Sequence, residues 1–131
     1  SGLFGFSAYA DSKLANVLFT RELANQLPDG QTATCFHPGV IPGSNFARGI
    51  PFPLSLGWEA IEFVPGVTDS VEDGGRALAH LAASPVVKGT TGAYFDKQNQ
   101  RRPSRAARDD EMADRLWSVS ADLVDVEPDW P

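Results

Sequence analysis

The spacing of apolar positions changes along the chain, and the changes mark its elements. Between Tyr9 and Leu27, Leu14, Val17, Leu18, Phe19 and Leu23 recur at three- and four-residue intervals, on more than one stripe of a helix. A helix apolar over so wide an arc must be covered on more than one side. Ser7 is placed to cap it, Ser1 to Ala8 reads as a Gly- and Phe-rich loop leading in, and Pro28-Asp29-Gly30 ends it. Gln31 to Phe36 then shifts to Thr, Ala, Cys and Phe, a short β-prone run closed by His37-Pro38-Gly39. A strand directly after a helix, closed by Pro-Gly, predicts a parallel α/β unit, whose ligands sit beyond the carboxyl ends of its strands.

Ile41 to Thr68 interleaves Pro42, Pro51, Pro53 and Pro65 with Phe46, Ile50, Phe52, Leu54, Trp58, Ile61 and Phe63. So long and apolar a loop predicts a segment covering a substrate, with a short helix over Trp58 to Phe63. Ser70, with Glu72 and Asp73 behind it, predicts a capped helix to Ala83 that turns Ala77, Leu78 and Leu81 to one face. Gly74-Gly75 in its body points to close packing. Gly92 to Phe95 predicts a second strand. Ser104 is placed to cap a last helix, with Met112, Leu116, Val119 and Leu123 on its buried face and a frayed tail from Glu127 to Pro131. The count is two clear strands among three or four helices.

Composition narrows the picture. A chain of 131 residues, 42% hydrophobic and 21% charged, suits one domain with a real core. Seventeen Asp and Glu against eleven Lys and Arg, a net charge of -6, argue against a nucleic-acid surface. Arg101-Arg102 is a local basic spot that reads as a solvated loop. No run of apolar residues is long enough for a membrane span, and the expected location is the cytoplasm. The single cysteine, Cys35, lies in an apolar run and reads as a small buried hydrophobe.

Candidate chemistry centres on Tyr9 and Lys13. Four residues apart, they share one face of the first helix, so the ammonium and the positive helix end both favour the ionised phenol. A tyrosine tuned in this way is a usable general acid or base. Asp11 reads as a first-turn carboxylate stabilising the helix start. His37 has only His80 to join it as a metal ligand, so a structural or surface role is expected for it and no metal site. Gly39 would let the backbone approach a flat ligand, with Val40 offering main-chain groups to it.

The run Tyr9 to Ala24, above all Ser12-Lys13-Leu14-Ala15-Asn16, resembles the active-site helix of the short-chain dehydrogenase/reductases, in their retinol-dehydrogenase-like and protochlorophyllide-reductase-like branch. His37-Pro38-Gly39-Val40 resembles that family's strand-end turn. Gly92-Ala93-Tyr94-Phe95, Arg102-Pro103-Ser104 and Leu116-Trp117 resemble the branch's last strand and last helix, in order along nearly the whole chain.

The resemblance implies the C-terminal half (1–131) of one Rossmann-like doubly wound α/β domain: active-site helix 9–27, substrate loop 41–68, terminal strand and helix 91–124. The activity implied is NAD(P)-dependent hydride transfer between nicotinamide and a hydrophobic carbonyl, alcohol or related substrate. Tyr9 would carry the proton, and Lys13 would activate it and bind the cofactor ribose. Pro38, Gly39 and Val40 would meet the nicotinamide carboxamide. Ser44 stands one place beyond the family's usual Thr or Ser, where this chain has Gly43. NADP or NAD is implied, with NADP favoured.

The family's Gly-rich phosphate turn and catalytic Ser lie outside this chain, Ser1 and Ser7 being too close to Tyr9 for the latter role. The alternative is a non-catalytic fragment, inactive alone, that persists as a homo-oligomer through the active-site helix or by pairing with the missing half.

Overall fold

Two strands, β1 (Thr34–His37) and β2 (Ala93–Asp96), run parallel with Thr34 opposite Ala93 and His37 opposite Asp96. They belong to a computed structural model that describes residues 2–39 and 69–129. A third strand, β3 (Asn99–Arg101), pairs antiparallel with β2 and completes the sheet order β1-β2-β3. The helices are α1 (Gly2–Gln26), α2 (Val71–Ala83) and α3 (Asp110–Val124), with 3-10 turns at Pro85–Val87 and Ala106–Arg108. The architecture is mixed α/β, with the parallel unit expected. The features assigned to Val40, Ser44, the 41–68 loop and Trp58 to Phe63 lie outside the described residues.

The helix α1 begins at Gly2 and not after Ser7, so the leading loop and the Ser7 cap are both corrected. Gly2 and Gly5 each cost about 1 kcal/mol against Ala, yet extending a nucleated helix adds a hydrogen bond for each residue fixed. The helix packs against α3 on one side and the sheet on another, with Leu18 buried. Phe19 meets Trp117 of α3 at 5.0 Å between ring centroids. The buried carboxylate of Glu22 accepts hydrogen bonds from Gln26 at 2.8 Å and Asn25 at 3.4 Å, one turn on. Gly30, at φ +88°, turns the chain toward β1.

Beyond α1, the amino ends of β1 and β2 are held in register by Gly92 N–H donating to Ala33 O at 2.8 Å and Ala33 N–H to Thr91 Oγ1 at 3.1 Å. Alternation on β2 buries Ala93 and Phe95 and leaves Tyr94 and Asp96 on the other face. The β2–β3 connection is a two-residue hairpin with Lys97 at φ 56°. The strand β3 is not expected from the sequence, because Lys97-Gln98 carries none of the Asn-Gly or Asp-Gly signals of a tight hairpin.

Ser70 caps α2 in a full capping box: its Oγ accepts from Asp73 N–H at 3.0 Å, and the Asp73 carboxylate accepts from Ser70 N–H at 3.1 Å. Gly74 and Ala77 are buried; Leu78 is exposed, a correction to its assigned face. The buried face of α3 also differs from expectation. Met112, Val119 and Leu123 are exposed, whereas Ala113 and Ala121 are buried and Leu116 and Trp117 half-buried. Ala113, Leu116, Trp117 and Ala121 form an equally regular stripe, and Trp117 on it meets Phe19 of α1.

The cap of α3 is Asp109, which accepts from Met112 N–H at 3.0 Å; Ser104 instead caps the Ala106–Arg108 turn through Ala107 N–H. The tail is tied down as far as Pro128, whose carbonyl accepts from the Trp117 indole N–H at 2.5 Å.

Candidate active site

Tyr9 and Lys13 lie on successive turns of α1, with Lys13 Nζ 5.1 Å from the centroid of the Tyr9 ring. That spacing follows from the helix, since side chains four apart stack along one face, and it sets an ammonium against an aromatic π-face. Tyr9 is 42% exposed and Lys13 is exposed as well. Because α1 starts at Gly2, Tyr9 falls in the third turn and Asp11 beyond the first. The helix-end field decays within one turn, so Tyr9 lies outside its reach and Asp11 does not serve the helix start. Ser12 adds a local bond, its hydroxyl donating to Tyr9 O at 2.7 Å.

At the carboxyl end of β1, Pro38 and Gly39 are half-buried and Gly39 adopts φ +96°. Gly39 N–H donates to His37 Nδ1 at 3.0 Å, and His37 O accepts from Lys97 N–H at 2.9 Å. His37 therefore has the structural role expected of it. No group of three or more His, Cys, Asp and Glu suited to a metal exists among the described residues.

Two residues not singled out in the sequence complete this corner. A Cβ on Gly39 would overlap the Asp69 carboxylate, whose Oδ1 accepts from Lys97 Nζ at 2.5 Å. The hydrogen bond to Asp69 is the main cause that raises the Lys97 pKa, and desolvation opposes it. The small volume of Gly39 thus serves a neighbouring ion pair. The available signal was Asp69 one place before the Ser70 cap; nothing in the sequence joined it to Lys97.

Cys35 on β1 is half-buried, with its thiol 3.9 Å from Ala93 O. Burial pushes the thiol pKa up, against smaller opposing effects of hydrogen bonds from Thr20 and the backbone. The sequence reading of a small buried hydrophobe is corrected to a half-buried thiol.

The helix α1 leads into β1 through the turn at Pro28-Asp29-Gly30 and packs against it. Among the described residues no helix is long and apolar enough to cross a membrane.

No family model matches the chain. Individual proteins do. The chain is 37% identical to dehydrogenase/reductase SDR family member 13 of Homo sapiens, over 93% of this chain and 34% of that protein. It is 36% identical to retinol dehydrogenase 13 of Homo sapiens, over 92% of this chain and 37% of that protein. It is 38% identical to retinol dehydrogenase 12 of Mus musculus, again over 92% of this chain and 37% of that protein. The chain spans about a third of the length of the curated relatives it matches.

Proposed function

We propose, since this chain belongs to the short-chain dehydrogenase/reductase family on its retinol-dehydrogenase-like side, that it forms the C-terminal part of a nicotinamide-dependent oxidoreductase acting on a hydrophobic carbonyl or alcohol. The observation that carries the reading is the Tyr9–Lys13 pair, with Nζ 5.1 Å from the ring centroid on an exposed face of α1. Tyr9 passes a proton between its hydroxyl and the substrate oxygen. Lys13 stabilises the charge that develops on the phenol oxygen and hydrogen-bonds the ribose of the cofactor. The nicotinamide, NADP or NAD, supplies or accepts the hydride.

Among the described residues, two exposed donors on one helix face and a half-buried Pro38-Gly39 turn at the carboxyl end of β1 suit the nicotinamide-ribose end of such a cofactor. A Gly-rich phosphate turn is not among these 131 residues. In this reading the three-stranded sheet is one part of a doubly wound one.

A second reading, an assembly without turnover, is favoured by the exposed Met112, Val119 and Leu123 along α3, the last 81% exposed. Replacement of Tyr9 by Phe in the cofactor-binding protein separates the two. We expect turnover to fall by about 10²–10⁴-fold with cofactor affinity retained; turnover at the parental rate removes Tyr9 from the chemistry. If the chain titrated with NADPH shows no binding and sediments as an oligomer, the second reading stands.

A further inference from the structure

Arg101 and Arg102 read in the sequence as a solvated basic loop, but in the fold a third arginine joins them. Arg21 from α1, Tyr94 from β2, Gln100 and Arg101 from β3, and Arg102 and Pro103 just beyond it line an open concavity of about 530 Å³. We infer that this concavity binds a small organic anion bearing phosphate or carboxylate groups, at a site separate from Tyr9 and Lys13.

Charge is the first argument. The chain carries a net charge of -6, yet three of its eleven Lys and Arg converge on one hollow. Among the described residues Asp110, paired with Arg21, is the one carboxylate in an ion pair with any of the three. Three guanidinium groups with one counter-charge repel one another unless an anion or solvent screens them. Guanidinium forks match phosphate and carboxylate oxygens two at a time, so the hollow is chemically selective for these groups.

The second argument is an unmet donor. Arg21 Nε–H is buried and has no hydrogen-bond partner among the described residues, while Nη2 of the same group is held by Asp110. A buried N–H without an acceptor is costly, and the residue that carries it is one of those lining the hollow.

The neutral walls agree. Desolvation, then the nearby Asp96 and Cys35, push the Tyr94 pKa up, so its hydroxyl remains a proton donor at neutral pH. Gln100 adds an amide.

Topology separates this hollow from the proposed hydride chemistry. Arg21 lies twelve residues after Tyr9, about 18 Å along the helix axis. Gly92 and Ala93, which floor the hollow, are at the amino end of β2, and Arg101 pairs with Tyr94 there, whereas Gly39 lies beyond the carboxyl end of β1. The inference therefore stands or falls independently of the reading of Tyr9.

The test is a titration of the ¹⁵N-labelled full chain with pyrophosphate and, separately, citrate, each at ionic strength held constant with NaCl. We expect saturable shifts of the backbone N–H signals of residues 92–94 and of the Arg21 Nε–H, with a midpoint below about 1 mM for at least one probe. The tighter probe identifies phosphate or carboxylate as the anion class. In Arg101→Gln/Arg102→Gln, which alters two exposed side chains, we expect the midpoint to rise at least about tenfold while signals elsewhere keep their positions. Linear, unsaturated drift with both probes overturns the inference. So does the same response to NaCl alone, or parental affinity in the double variant.

Discussion

The carboxylate of Asp69 occupies the space in which a Cβ of Gly39 would lie, and the Nζ of Lys97 binds that carboxylate at 2.5 Å. A glycine at the end of β1, a residue preceding α2 and a hairpin residue after β2 are thus joined at the carboxyl edge of the sheet. Gly39→Ala meets two penalties, a φ of +96° and the overlap with Asp69. We expect a loss of about 1–3 kcal/mol in chemical denaturation. Asp69→Asn keeps the shape and removes the charge of a partly exposed pair, so it should cost under about 1 kcal/mol. A Gly39→Ala cost no larger than that of Asp69→Asn would show that the turn tolerates a side chain.

The capping box of α2 gives a pH-dependent prediction. Bonds from the Ser70 side chain, then its backbone, hold the Asp73 carboxyl below its ordinary range. The stabilisation is therefore complete above the unfolded-state value near ~4 and is lost as pH falls through the lower folded value. Ser70→Ala should cost about 1 kcal/mol at pH 7 and less at pH 2, read by denaturant midpoints at the two pH values. An equal cost at both would remove the Asp73 carboxylate from the cap.

Cys35 should react slowly. Burial raises its thiol pKa, so its thiolate fraction at pH 7.5 is below that of an exposed cysteine. We expect modification by a disulfide reagent to run at least about tenfold slower in the folded chain than in denaturant. Equal rates would contradict the partial shielding of Cys35 in the fold.

The contact between α1 and α3 rests on Phe19 against Trp117, at 5.0 Å between centroids, and on the Arg21–Asp110 pair. Trp117 also ties the tail through Pro128. Trp117→Ala should cost about 3 kcal/mol, because it removes the ring contact and the tail tie together. Asp110→Asn, at an exposed carboxylate, should cost less than about 1 kcal/mol. If the two substitutions cost the same, the ring contact does not hold the helices.

Local chemistry explains what the sequence determined. The Ser70-x-x-Asp73 box, the Gly30 turn, the four-residue spacing of Tyr9 and Lys13, and the β-prone run into His37-Pro38-Gly39 each depend on residues within a few positions of one another. Backbone geometry turns such spacing into structure without help from the rest of the chain. The parallel pairing of β1 with β2 could be anticipated for the same reason, since a helix leading into a strand closed by Pro-Gly has few other ways to bury its apolar side.

Only the tertiary structure decided the rest. On α3 the apolar residues allow two equally regular stripes, and packing against α1 through Trp117 goes with the one that exposes Leu123. Asp69 meets Lys97 across 28 residues, and Arg21 meets Asp110 across 89. Arg21, Tyr94 and Arg101 gather around one hollow because three separate elements end beside one another. Pairings of that kind depend on long-range packing, whose free energy no short window of sequence contains.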